Sequence, residues 1–223
     1  MLKRLLTENP GLIAARIVGY DHDYDSDSNS RTLLHVATDW PGHFPNGEAI
    51  VLALIEAGAE VNARFAGPHS ETPLHWAASS NDIEVLDALL DSGADIETTG
   101  AVIAGGTPLD DAVAFGQWQV AQRLVERGAQ TKLWNEAALG LMDRVKERFI
   151  GNNVPSPSEI TIAFWQACHG GQRETAEYLL DSGADLNWIG YNELTPLDIA
   201  SHSNADKIVE WLRSLGARSS EDS

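Results

Sequence analysis

A four-residue element returns along this chain at wide intervals, and it constrains the fold more than any other feature. It reads Thr72-Pro73-Leu74-His75, Thr107-Pro108-Leu109-Asp110 and Thr195-Pro196-Leu197-Asp198, with a looser Thr32-Leu33-Leu34-His35. In the first three copies a Gly-Ala pair follows the Thr by 21 residues, at Gly93, Gly128 and Gly216. Gly58-Ala59 follows Thr32 at a longer interval, and Gly183-Ala184 closes a further unit whose start is the degenerate Ile162-Ala163-Phe164-Trp165. Self-similarity on this scale is the signature of a stacked array, in which each unit buries its apolar face only against its neighbours.

Between the two marks each unit reads as a pair of short amphipathic helices. Ala77 and Ala78 belong to the first helix of the clearest copy, and Asn81 and Asp82 mark a turn. Val85, Leu86, Leu89 and Leu90 then recur at helical spacing until Gly93. Thr is suited to cap free N–H groups, Pro to the first helical position, and Gly to a left-handed helix end.

These residues resemble the ankyrin repeat: a period near thirty-three, Thr72-Pro73-Leu74-His75-Trp76-Ala77-Ala78, and Leu-Leu-Asp-Ser-Gly-Ala-Asp at 89–95 and again at 179–185. The resemblance implies an all-α solenoid of helix-turn-helix units with projecting finger loops. It also implies binding, usually of proteins, through the fingers and the concave face of the first helices, and no reaction. It makes the His of the Thr-Pro-Leu-His element a structural hydrogen-bonding residue. A single domain is expected over 1–218, with a partial N-terminal cap over 1–31, repeats starting near 32, 72, 107, 133, 162 and 195, and a polar tail at 219–223.

Departures from the repeat mark the candidate binding surface. Gly58 to Thr72 and Gly93 to Thr107 are fingers two residues longer than Gly183 to Thr195, and they carry Phe65 to His69 and the apolar Ala101 to Ala104. An apolar fingertip is either pinned on neighbouring fingers or open to a ligand. The 32–58 unit holds an insertion, Trp40-Pro41-Gly42-His43-Phe44-Pro45, which is either contact surface or a lid over the first repeat. On the first helices, helical spacing places Trp76, Asp111, Phe115 and His169 on one side, which the ankyrin resemblance implies is the concave one. Trp76 there either meets a partner or packs under a finger. The candidate binding residues are thus Trp40, His43, Phe44, Phe65, His69, Trp76, Asp111, Phe115 and His169, chiefly in repeats 2–4. The unit after Gly128 is eroded, and the Pro/Ser connection at 151–158 does not resemble a finger.

Charge and cysteine narrow the partners. Fifteen Lys and Arg stand against 33 Asp and Glu, a formal net charge of −18, which disfavours nucleic acid and anionic membranes and suits a protein or peptide partner, a basic one above all. Cys168 is the only cysteine and sits at an interior repeat position, so the chain is expected in the reducing cytoplasm as an acidic protein, with a buried thiol. No apolar run of membrane-spanning or signal-peptide length occurs. No catalytic, metal or cofactor motif emerges: Asp21 to Asn29 alternates carboxylates, but Ser26 and Thr32 stand where a calcium loop needs Gly and Glu. The alternative function is a small-molecule site or enzyme in the concave groove, with Asp111, His43, His69 and His169 as its acid/base groups.

Overall fold

The computed structural model describes residues 1–19, 29–151 and 154–222. The acidic connection at Asp21 to Ser28, and Asn152 and Asn153 of the Pro/Ser connection, lie outside the described residues. The chain forms two compact units, Met1–Gln130 and Thr131–Ser223.

In the first unit, helix α1 (Leu2–Glu8) precedes a β-hairpin of β1 (Arg16–Val18) and β2 (Ser30–Thr32). Three helix pairs follow: α2 (Leu33–Thr38) with α3 (Gly47–Glu56), α4 (Pro73–Ser79) with α5 (Ile83–Asp91), and α6 (Pro108–Ala114) with α7 (Trp118–Glu126). The first members stack as one row, α2 on α4 on α6, and the second members as another, α3 on α5 on α7. Leu34, Leu74, Leu86, Leu89, Leu109 and Leu124 are buried between the rows. Each such side chain contributes roughly 1.5–3 kcal/mol on leaving water, so the stacking, not any single pair, holds the helices.

The second unit repeats the plan with α8 (Leu133–Ala138) and α9 (Met142–Arg148), α10 (Pro157–His169) and α11 (Arg173–Asp181), and α12 (Pro196–His202) and α13 (Asp206–Ser214). Its core is centred on Phe164, Cys168, Leu179, Ile208 and Leu212. Gly170 ends α10 directly against α8, where an added Cβ would run into the carbonyl oxygen of Ala138, so no larger residue fits at that contact.

The repeated element does what its chemistry suggests. Thr72 and Thr107 cap α4 and α6, with Pro73 and Pro108 at the first helical position. The fourth residue of the element closes the cap from the other side: the Thr72 N–H donates to His75 Nδ1 at 3.1 Å, and the Thr107 N–H to Asp110 Oδ2 at 2.9 Å. The far nitrogens of His35 and His75 reach the next finger, at the carbonyls of Glu71 (3.1 Å) and Gly106 (3.3 Å). The histidines of the element therefore staple each helix start to its neighbour. Where Lys132 replaces the Thr, Asn135 still accepts the Lys132 N–H at 2.9 Å, and α8 begins without a Thr-Pro pair. Gly93 ends α5 at φ +91°, a conformation in which a Cβ would be strained.

The Trp40 to Pro45 insertion is tied down from the next repeat. Asp82 caps α5 by accepting the Val85 N–H on Oδ1, and its Oδ2 accepts the His43 N–H at 2.7 Å. One carboxylate thus fixes both a helix start and the inserted loop. No helix among the described residues is long and apolar enough to cross a membrane.

Candidate functional site: a cleft under the fingers of the first unit

The fingers of the first unit are linked side by side by backbone hydrogen bonds. Ser30 of β2 and Ala66 of the next finger exchange N–H to carbonyl bonds at 2.8 and 3.0 Å, and the Ser70 N–H donates to the Gly100 carbonyl of the following finger at 3.1 Å. Arg64 adds a side-chain tie across the same gap, to Thr98 Oγ1 at 3.0 Å and to the Thr99 carbonyl. The apolar finger at 101–104 is therefore attached at its base, while Val102 and Ile103 stay exposed.

Beneath this row and beside α4 lies a cleft of about 340 Å³, lined chiefly by Ile17, Arg31, Phe65, His69, Glu71 and Trp76. Its aromatic wall is ordered. The Phe65 and His69 rings stack at 4.5 Å and 18°, the Phe65 and Trp76 rings are 5.8 Å apart, and His35 meets Trp76 edge-on at 4.9 Å. Arg31 lies 6.0 Å from the Trp76 ring and pairs through Nη1 with Asp39 Oδ2 at 2.7 Å. Aromatic surface beside fixed polar groups gives both contact area and orientation.

At the floor sits Glu71, only 5% exposed, one residue before the Thr-Pro element. Its Oε2 accepts the Trp76 indole N–H at 2.8 Å and stands 3.0 Å from His69 Nδ1, while Oε1 accepts the Val102 N–H at 3.2 Å. Its backbone carbonyl takes the Phe65 N–H at 2.7 Å and His35 Nε2. One residue thereby joins α4, its own finger, the next finger and the helix of the preceding repeat.

Asp111, from α6, completes the arrangement. It is fully buried, and no N–H donor reaches either of its carboxyl oxygens. Its charged neighbour is the carboxylate of Glu71, and two carboxyl groups side by side in a dry site favour a proton on one of them. Burial first, and then the adjacent Glu71 charge, push the Asp111 carboxyl up to about 9. Burial would raise Glu71 too, but the His69 ring nitrogen 3.0 Å away, the proton on Asp111 and the Val102 N–H outweigh it and hold Glu71 below the usual carboxylate range. Near neutral pH the pair therefore carries one proton and one negative charge, with the proton on Asp111 and the charge on Glu71. Because Asp111 has no exposed surface, it offers no direct path for proton transfer to a molecule in the cleft.

Phe65, His69 and Trp76 thus meet in one place, and Asp111 joins them through Glu71. The other candidates lie elsewhere. Trp40 stands 77% exposed at the start of the insertion, joined to Pro41 by a cis peptide bond, and His43 is exposed on the same loop. Phe44 lines a separate apolar hollow with Leu33, Val36, Ile50 and Leu54. Phe115 is half-exposed at the end of α6. His169 belongs to the second unit, buried 5.7 Å from Trp165, where burial pushes its imidazole down to about 4. Sequence reasoning passed over Glu71, Arg31 and Ile17. The signal available for Glu71 was its place directly before a helix cap and five residues before Trp76, but its partners Val102 and Asp111 are 31 and 40 residues on. Among the described residues no group of three or more His, Cys, Asp or Glu side chains is placed to hold a metal ion.

A family model described as ankyrin repeats (3 copies) matches residues 48–134 and 137–221. No curated protein matches the chain.

Proposed function

The chain belongs to the ankyrin-repeat family, an all-α solenoid whose members are in general protein-interaction modules, and on that premise we propose that it recognises a protein partner through the finger row and inner helices of the first unit. The cleft under the fingers is the centre of that surface, and an extended peptide is the ligand it suits. The observation that carries this reading is the aromatic wall of Phe65, His69 and Trp76, held in place by buried Glu71. Such rigid aromatic groups at the centre of a contact usually dominate its energy. Exposed Val102, Ile103 and Phe115 extend apolar surface beyond the cleft. The net charge of −18 favours a basic partner, by attraction at long range and by repulsion of acidic competitors.

Peptides selected against the full chain from a random displayed library test the placement. Trp76→Ala, with its fold retained by circular dichroism, should weaken such a peptide by more than about tenfold. Equal affinity for the folded variant and the parent would move recognition away from this cleft.

A further inference from the structure

We propose that β1 is an open docking edge, onto which the partner adds an extended segment of alternating apolar and basic residues. The proposal rests on the cleft reading only for where the segment's inward side chains go.

The direction of each backbone group in the hairpin follows from its register. β1 and β2 are antiparallel, with Arg16 opposite Thr32, Ile17 opposite Arg31 and Val18 opposite Ser30. The Gly19 N–H donates to the Asn29 carbonyl at 3.1 Å, so that pair is of the hydrogen-bonded kind. Antiparallel pairs alternate, so Ile17 and Arg31 form the next hydrogen-bonded pair, and the backbone groups of Arg16 and Val18 face away from β2. Ser30 confirms the phase from the other side, since its N–H and carbonyl are both spent on Ala66. The N–H and carbonyl of Arg16 and of Val18 therefore form the outer edge of the finger row, and no described group bonds any of the four.

Native sheets usually shield such an edge with an outward charge, a proline or a bulge. Here the one charged side chain is turned inward, because Arg16 donates through Nε to Ser30 Oγ at 2.8 Å and through Nη2 to the Ser30 and Arg64 carbonyls. Val18 is left 59% exposed, and Ile17, beside it, lines the cleft. A strand laid along β1 would continue the finger row and pair two of its residues with Arg16 and Val18. Its alternate side chains would lie on the Ile17 face, toward the aromatic wall, and the others would point to solvent. Apolar groups suit the first set. The second set shares its face with Arg16, whose guanidinium is already held by Ser30 and the Arg64 carbonyl. Basic groups there are drawn at long range by the excess of eighteen negative charges on the chain, rather than by a partner on the edge. The same excess opposes the other available occupant, the β1 edge of a second copy.

The probe is a synthetic nine-residue peptide of alternating Lys and Val, offered to the full chain and to its Val18→Pro, Val18→Thr and Trp76→Ala variants. Proline removes one edge donor without touching a bond to β2, whereas threonine keeps the backbone intact. Binding to the parent and to Val18→Thr alike, at least about tenfold weaker binding to Val18→Pro, and slowed amide exchange at Arg16 and Val18 on adding the peptide are the expected results. The exchange measurement on the parent stands even if Val18→Pro disturbs the hairpin. No binding at about 1 mM peptide, or binding that leaves the Arg16 and Val18 amides unprotected, overturns the proposal. Self-association of the parent that Val18→Pro abolishes also overturns it, by assigning the edge to a second copy. The cleft reading fails separately: protected β1 amides with no loss on Trp76→Ala keep the edge and remove the cleft, and the converse pattern does the reverse.

Discussion

Replacing Asp111 by Asn should change how stability depends on pH, by an amount the buried pair dictates. Asn has nearly the shape of Asp, its amide can donate to Glu71, and it does not titrate. In the parent, the folded chain keeps the Asp111 proton up to about pH 9, whereas the unfolded chain releases it near the ordinary value of about 4. A carboxyl raised in this way supports the fold fully only below its unfolded value, and the support is lost as pH rises through the folded one. Between the two, one extra proton on the native state costs about 1.4 kcal/mol for each pH unit. From pH 7 to pH 8.5 the parent should therefore lose about 2 kcal/mol relative to Asp111→Asn. His35 and His169, pushed down by burial, act on the other side of neutrality and cancel in the comparison. Equilibrium urea unfolding of both proteins at the two pH values, followed by circular dichroism, measures the difference. Parallel stabilities over this range would refute a proton shared between Asp111 and Glu71.

Glu71→Ala should cost about 2–4 kcal/mol, because it strands the Trp76 and Val102 donors and leaves Asp111 buried without its partner; the same unfolding assay at pH 7 reads it. Asp82→Ala removes the α5 cap and the His43 tether together, so a loss of about 1–2 kcal/mol should come with faster proteolytic cutting between Trp40 and Pro45. Gly170→Ala forces a methyl onto the Ala138 carbonyl and should destabilise the second unit by about 1–3 kcal/mol, seen as an earlier transition in thermal unfolding. Cys168 is fully buried and its thiol is pushed up by burial. It should react with an aromatic disulfide reagent only at the rate of unfolding, and rapid labelling of the native chain would contradict that burial.

The helix pairs were legible because capping and core positions are local properties. Thr, Pro and Gly at fixed offsets say where a helix starts and stops, and Leu and Val at helical spacing say which face is buried. The cleft was legible in part: Trp76 and Asp111 could be placed by helical phase, and Phe65 and His69 by the unusual length of their finger. What the sequence does not display is the junction at Glu71. Its meaning depends on a fingertip amide and a carboxyl from the next repeat, and such pairings over long separations leave no periodic trace. The β1–β2 hairpin was hidden for a different reason. Three residues, Arg16 to Val18, are too few for alternation to register, and the strand they pair with reads equally well as the approach to the Thr32 cap. The Trp40 to Pro45 insertion was visible as an excess of five residues over the regular interval, but its tether at Asp82 was not.

Amide hydrogen exchange over the full chain, with and without a peptide selected from a random library, tests most directly whether the first unit is the recognition surface. Slowed exchange concentrated at 16–18, 65–76 and 101–104 is the predicted footprint. A footprint confined to 131–222, with the first unit unchanged, would contradict it.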